Sequence, residues 1–122
     1  MKQIIIMSIF SSIFGMSAQQ SDQIKVLVPS DYQSAINSKR VQLVDVRTSS
    51  EYNSGHIKNA VNVDVMQRKA FMDYFNTLDT DEPIYLYCRS GSRSQSAAKL
   101  LVGLGFKEIY DLKGGYLNWK SK

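Results

Sequence analysis

The sequence has few residues of the types that cross-link chains or bind metals. Its 122 residues include one cysteine and one histidine. A single cysteine cannot form an intramolecular disulfide, and one cysteine with one histidine does not supply the ligands of the usual structural zinc sites. With 43% hydrophobic and 21% charged residues, the composition is that of a globular protein rather than a disordered or collagen-like one. The fold must therefore depend on an ordinary hydrophobic core, for which this length is sufficient.

Long basic runs and long apolar runs are also absent. The formal net charge is +4, but lysine and arginine are scattered in runs of no more than two, so nucleic-acid binding is not indicated. The longest apolar stretch lies near the N-terminus, where serines interrupt it, and a membrane-spanning helix needs about 20 apolar residues. We expect no nucleic-acid partner and, once this stretch is removed, no membrane partner.

The N-terminal residues follow the pattern of a secretory signal peptide. Lys2 supplies a positive start, an apolar stretch reaches Phe14, and Ser17 and Ala18 are small residues suited to cleavage. We predict that residues 1–18 are a cleaved leader and that residues 19–122 form one domain in the periplasm or outside the cell. An uncleaved membrane anchor is the alternative.

After residue 23, short apolar runs alternate with longer amphipathic runs. Strands are predicted at residues 24–28, 41–46, 60–65, 84–87 and 108–112. Helices are predicted at residues 29–38, 48–55, 66–78, 94–104 and 116–119. This alternation predicts an α/β domain with a mainly parallel five-stranded sheet and helices on both faces.

Two of these segments also have a predicted buried face. Val61, Val63 and Val65 alternate with polar residues, which is typical of a strand with one buried side. The following helix has apolar residues at helical spacing. They are Met66, Ala70, Phe71, Tyr74, Phe75 and Leu78.

The single cysteine directly follows a predicted strand. Its segment reads Cys88-Arg89-Ser90-Gly91-Ser92-Arg93-Ser94, and a helix is predicted next. Ligands of open parallel sheets bind beyond the carboxyl ends of the strands. Loop N–H groups and the positive end of the helix favour a thiolate there, which is the nucleophilic form of cysteine. Gly91 allows the tight turn that such a loop needs.

The charges around this loop have one sign. Between Glu82 and Glu108 there is no acidic residue, whereas four basic residues lie in that interval. They are Arg89, Arg93, Lys99 and Lys107. This distribution predicts an anionic substrate or an anionic intermediate on Cys88. The alternative, in which Cys88 is only a small buried hydrophobic residue, does not account for the glycine, arginines and serines beside it.

These residues resemble the rhodanese (sulfurtransferase) domain family. The cysteine loop, residues 88–94, resembles the active loop of that family. Three further segments match in chain order: residues 43–47 with Glu51 and Tyr52, residues 55–63, and the closing turn at residues 114–119. The family usually carries Pro-Gly where this chain has Lys58 and Asn59, a departure that alters one turn.

The resemblance implies sulfur transfer in two steps. The thiolate of Cys88, as the catalytic residue, takes the outer sulfur of a small anionic donor such as thiosulfate and becomes a persulfide. A thiophilic acceptor such as cyanide, a thiol or a protein then removes that sulfur. The implied substrate-binding residues are Arg89, Ser90, Gly91, Ser92 and Arg93. Their backbone amides would stabilise the persulfide, and the side chains of Arg93 and Arg89 would orient the anionic donor. No metal and no organic cofactor is required.

Supporting roles fall on residues around the loop. Asp45 and Arg47 are expected to pair with each other or with backbone and so hold the loop in shape. Ser94 is expected either to bond the sulfur or to cap the helix. His56 is expected to bond backbone groups rather than to act as a base. Tyr87 should point away from the side chain of residue 88.

Three other functions remain open. A cysteine-based phosphatase or arsenate reductase would place arginine six positions after cysteine, whereas Arg93 is five positions after Cys88. A non-enzymatic module would carry sulfur to a partner or bind partners without turnover. A thiol redox protein is disfavoured because no second cysteine exists to resolve a mixed disulfide.

Overall fold

The computed structural model describes residues 22–121, and the predicted leader at residues 1–18 lies outside them. Strands and helices alternate from end to end, as predicted. In chain order they are β1 Ile24–Leu27, α1 Pro29–Ser38, β2 Gln42–Asp45, α2 Ser49–Asn53, β3 Val61–Asn62, α3 Arg68–Phe75, β4 Ile84–Tyr87, α4 Ser92–Gly103, β5 Ile109–Leu112 and α5 Gly115–Ser121. Within the described range, no helix is both long and apolar enough to cross a membrane.

The five strands form one parallel sheet in the order β1-β5-β4-β2-β3. This arrangement confirms the predicted α/β class. The four residues of β4 are all buried, which agrees with their continuous apolar sequence. Since the strands are parallel, the carboxyl ends of β2, β4 and β5 meet at one edge of the sheet, where Cys88 follows β4.

The sheet separates two hydrophobic clusters. Ile84 and Leu86 of β4 belong to the cluster that includes Ala97, Ala98 and Leu101 of α4. Tyr85 and Tyr87 belong to the opposite cluster, with Tyr32 of α1, and Trp119 of α5 packs against it. Cys88 lies in the α4 cluster, so its side chain and that of Tyr87 are on opposite faces, as predicted.

Two predicted burial patterns are wrong in part. Val63 and Val65 are buried, but Val61 is 45% exposed because β3 is a two-residue strand at the edge of the sheet. Met66 is 69% exposed because α3 begins only at Arg68. Ala70 is exposed as well, so the buried face of α3 consists of Phe71 and Phe75.

Candidate active site

The cysteine loop folds back over its own sulfur. Cys88 is 1% exposed. The backbone N–H of Gly91 donates to Cys88 Sγ at 3.0 Å, and the hydroxyl oxygen of Ser94 lies 3.3 Å from the same sulfur. Cys88 is therefore held by a loop amide and by a side chain from the first turn of α4.

The N-terminus of α4 lies next to that sulfur. Gly91 precedes the helix with a φ of 118°, a value that favours glycine, and no side chain caps this end. The first N–H groups of a helix have no intrahelical acceptor, and they carry partial positive charge. The end of α4 thus offers hydrogen-bond donors to an anion beside Cys88. Ser90 and Ser92 are exposed around it.

The start of α5 supports the loop from outside. The N–H groups of Tyr116 and Leu117 donate to the carbonyl oxygens of Cys88 and Arg89 at 2.8 and 3.1 Å. Gly115 has a φ of 63°, and a Cβ atom there would lie 2.4 Å from the Arg89 carbonyl oxygen. Only glycine fits this close approach. The two consecutive glycines, Gly114 and Gly115, predict a turn here, but the sequence does not show that this turn packs against the cysteine loop.

Asp45 and Arg47 form a buried ion pair beneath this edge of the sheet. The Nη2 and Nε atoms of Arg47 lie 2.7 and 3.1 Å from Asp45 Oδ2, and Nη2 also donates to the carbonyl oxygen of Gly55 at 2.7 Å. The guanidinium carbon is 4.6 Å from the centroid of the Tyr116 ring. Arg47 thus connects β2, the turn after α2 and α5, which agrees with the predicted pairing of Asp45 and Arg47.

Arg93 is held by Glu51, a residue not predicted to belong to the site. Its Nη1 and Nη2 atoms donate to the two carboxylate oxygens of Glu51 at 2.7 and 2.9 Å. The Arg93 hydrogen bond is the main reason that the pKa of Glu51 falls to about 2. Glu51 also completes the capping box of α2 with Thr48. The Thr-x-x-Glu pattern predicts this cap, but it does not predict the contact with Arg93.

The basic residues around the loop are less concentrated than their sequence positions suggest. Glu51 neutralises Arg93, and Lys107 pairs with the exposed Asp81 at 2.7 Å. Within residues 22–121, Arg89 forms no ion pair. It is exposed and borders a cleft of about 260 Å³ that is also lined by Lys120 and Leu117. Arg89 is thus the loop cation available to an incoming anion.

His56 lies in the turn after α2 and makes local contacts. Its Nδ1 atom is 2.8 Å from the carbonyl oxygen of Tyr52, and its ring stacks on the Tyr52 ring with centroids 3.7 Å apart. These contacts match the structural role that the sequence predicted for this residue.

Asp111 is a buried acid in the layer between β5 and α4, and no local sequence pattern indicates its position. It lies on β5, is 2% exposed, and accepts a hydrogen bond from Gln95 Nε2 of α4 at 2.6 Å. Its Oδ1 atom has no hydrogen-bond partner among the described residues. Burial raises the pKa of Asp111, although the hydrogen bond from Gln95 opposes the rise.

Comparison with known proteins places these features in a family context. The model of the rhodanese-like domain matches residues 28–122. Thiosulfate sulfurtransferase GlpE of Pseudomonas savastanoi pv. phaseolicola is 34% identical over 77% of this chain and 86% of its own length. The tRNA uridine(34) hydroxylase of Pelagibacter ubique is 40% identical over 75% of this chain, but the match spans only 30% of the hydroxylase.

Solved structures of rhodanese-like domains have the same fold as this chain. The crystal structure of a rhodanese-like domain protein from Staphylococcus aureus superposes with a TM-score of 0.69 and 29% identity. The superposition covers 78% of this chain and 90% of that one.

Proposed function

The chain belongs to the rhodanese-like domain family, and we propose that it is a sulfurtransferase that works through a persulfide on Cys88. The donor is a small sulfur anion such as thiosulfate, and the acceptor is a thiophile such as cyanide or a thiol. The hydrogen bond from Gly91 N–H to the buried Cys88 sulfur, 3.0 Å long, carries the proposal. Similarity to GlpE over 86% of that protein supports thiosulfate as the donor.

In the first step, the Cys88 thiolate attacks the outer sulfur of thiosulfate. A new S–S bond forms at Cys88, and the old S–S bond breaks with its electron pair leaving on sulfite. The exposed Arg89 draws the donor toward the loop. The N–H groups at the start of α4 then stabilise the negative charge of the persulfide, because they are fixed before the reaction begins.

In the second step, the acceptor attacks the outer sulfur of the persulfide. The Cys88 thiolate is the leaving group. The N–H of Gly91 and the hydroxyl of Ser94 lie next to its sulfur and can stabilise its negative charge. The Glu51–Arg93 and Asp45–Arg47 pairs hold the surrounding backbone while charge appears and disappears at the sulfur.

Steady-state kinetics test this proposal. With thiosulfate and cyanide, we expect thiocyanate to form and double-reciprocal plots at several cyanide concentrations to be parallel, as a two-step mechanism requires. Cys88→Ser should form no thiocyanate. Intersecting lines, or activity that persists in Cys88→Ser, would contradict a Cys88 persulfide.

Two competing functions give different results in the same preparation. A phosphatase would hydrolyse an aryl phosphate without thiosulfate, which we do not expect because the loop between Cys88 and Arg93 holds four residues rather than five. A sulfur carrier would deliver one sulfur per chain to a protein acceptor but would show no sustained turnover with small acceptors.

We also propose that residues 1–18 direct export and are then removed, so that the enzyme acts in the periplasm or outside the cell. The test is the intact mass of full-length protein produced in a Gram-negative host and recovered from the periplasm. The expected mass corresponds to a chain that starts near Gln19. Recovery of the chain from Met1, retained with the cells, would contradict the proposal.

A further inference from the structure

A cleft of about 720 Å³ lies on the α1 face of the sheet. It is formed by the C-terminal half of α1, the start of β2, the turn before β3 and Trp119 of α5. Leu43 in this cleft belongs to the hydrophobic cluster on the α1 face, whereas Cys88 belongs to the cluster on the α4 face. No residue of the cysteine loop lines the cleft, so it is a site separate from the one described above.

The base of this cleft is apolar and aromatic. Trp119 is half-buried, and its ring packs edge-on against the ring of Tyr32 with centroids 6.1 Å apart. The other apolar lining residues are buried or half-buried; they are Ile36, Val41, Leu43 and Ile57. A volume of this size with an apolar base is typical of sites for small organic molecules.

The rim of the cleft is positively charged. Lys39, Arg40 and Lys58 line it and are exposed, and the described lining residues include no aspartate or glutamate. Within residues 22–121, none of these three cations forms an ion pair. Lys39 and Arg40 follow the C-terminus of α1, where helices favour cations. That effect does not account for Lys58, which reaches the same cleft from the turn before β3.

The turn that carries Lys58 has an unusual sequence for its geometry. Ala60 N–H donates to the carbonyl oxygen of Ile57 at 3.0 Å, and Asn59 has a φ of 74°. A positive φ at the third position is typical of type II turns, which favour proline at the second position and glycine at the third. The chain has Lys58 and Asn59 there, and both line the cleft. The turn thus supplies a cation and an amide where its backbone favours residues that have neither.

The position of this turn is fixed before any ligand arrives. Ile57 N–H donates to the hydroxyl of the buried Tyr87 at 3.0 Å. The wall that carries Lys58 is therefore attached to the central strand β4, and a ligand would not have to order it.

We propose that this cleft binds a small organic anion with a flat apolar body, such as an aromatic sulfonate or carboxylate. The body lies against Trp119 and the aliphatic side chains at the base, and the anionic group is held by the cations at the rim. This site is additional to the proposed sulfur transfer and does not depend on it.

Titration of the full-length chain with anilinonaphthalene sulfonate tests the proposal. Trp119 is the only tryptophan, so its fluorescence reports binding in this cleft. We expect saturable quenching by one dye per chain, weakened by salt. Lys58→Gln should raise the Kd about threefold, and Lys58→Gln combined with Arg40→Gln about tenfold. Lys99→Gln makes the same charge change on the exposed side of α4 and should leave the Kd unchanged.

A neutral dye separates recognition of the anion from simple apolar binding. Phenylnaphthylamine has the same rings without the sulfonate, so Lys58→Gln should not alter its Kd. Absence of saturable quenching by the sulfonate, equal effects of Lys58→Gln and Lys99→Gln, or an equal effect of Lys58→Gln on both dyes would overturn the proposal. None of these measurements involves Cys88, so they can fail or succeed whether or not the chain transfers sulfur.

Discussion

The N-termini of α2 and α4 lie on the same side of the molecule but are completed in different ways. At α2, Glu51 N–H donates to the Thr48 side chain at 3.2 Å and Thr48 N–H donates to the Glu51 carboxylate at 3.1 Å, so side chains of the helix itself cap this end. At α4, the residue before the helix is Gly91, which has no side chain to cap it. The N-terminus of α2 is therefore capped by side chains, which stabilise the helix. The N-terminus of α4 has no side-chain cap, so its N–H groups are available to an anion.

Glu51 connects the two helix ends. The same carboxylate that caps α2 binds the guanidinium of Arg93 in the first turn of α4. A carboxylate therefore lies beside the open end, by which we mean the uncapped N-terminus of α4. The Cys88 sulfur itself contacts the Gly91 N–H and the Ser94 hydroxyl. Substitutions at each helix end test this difference, and we expect the strongest change at Gly115.

Replacing Gly115 should disturb the open end most. Gly115→Ala places a Cβ atom 2.4 Å from the Arg89 carbonyl oxygen at a φ of 63°. We expect the free energy of unfolding to fall by about 2–4 kcal/mol and sulfur transfer to be largely lost, as measured by urea denaturation and thiocyanate formation. Gly103→Ala is the matched control, because nothing lies near its Cβ position. Its stability should stay the same or rise by about 0.5–1 kcal/mol. Equal behaviour of the two variants would refute the role of the closing turn.

Adding an acid to the open end should separate stability from activity. Ser92→Asp places a carboxylate in the first turn of α4, which should raise the free energy of unfolding by about 0.3–1 kcal/mol. The same charge repels an anionic donor, so kcat/KM for thiosulfate should fall by about tenfold or more, equivalent to ~1.4 kcal/mol. Ser92→Asn controls for size and should remain close to wild type. An Asp variant with unchanged kcat/KM would show that the end of α4 does not meet the donor.

Removing the shared carboxylate should weaken both helix ends in a pH-dependent manner. The pKa of Glu51 is about 2 in the folded chain, below its ordinary value, so its stabilising effect is complete above about pH 4.5 and disappears as the pH falls toward 2. Because 27% of the side chain is exposed, solvent screens the pair, and Glu51→Gln should cost about 1–2 kcal/mol at pH 7.

Urea denaturation at several pH values measures this difference. Glu82→Gln, the same change in the exposed loop before β4, is the control. If the deficit of Glu51→Gln were still complete at pH 2, charge would not be its cause.

The smallest effect is expected at the closed end. Thr48→Ala removes the side chain that accepts from Glu51 N–H and should lower the free energy of unfolding by about 1 kcal/mol. Sulfur transfer should be nearly unchanged, since the loop around Cys88 keeps its contacts. A loss of activity as large as that of Ser92→Asp would mean that the two helix ends do not act separately.

Local sequence patterns predicted the positions of helices and strands correctly, but they predicted less well which side chains of those elements are buried. β4 and α1 were placed correctly because a four-residue apolar run and a proline start are local signals. Val61 and Met66 were assigned to buried faces in error, since alternation and periodicity do not reveal that β3 lies at the sheet edge or that α3 starts late. The order of the strands depends on packing between distant segments and was not predicted.

In the candidate site, too, residues that are close in the sequence were predicted and contacts between distant residues were not. Cys88 and Gly91 stand out because they are consecutive in a strand–loop–helix pattern, and the Asp45–Arg47 pair spans only two positions. Glu51 meets Arg93 across 42 positions, and Asp111 meets Gln95 across 16. Such contacts are decided by the sheet register, so neither Glu51 nor Asp111 could be assigned to the site from local spacing.

The intact mass of the chain after incubation with thiosulfate shows whether Cys88 carries sulfur. We expect the protein to gain the mass of one sulfur atom, cyanide to remove it with formation of thiocyanate, and Cys88→Ser to gain none. A chain that gains no sulfur, or a Cys88→Ser variant that gains as much as the wild type, would contradict the claim that Cys88 at the open end of α4 carries the sulfur.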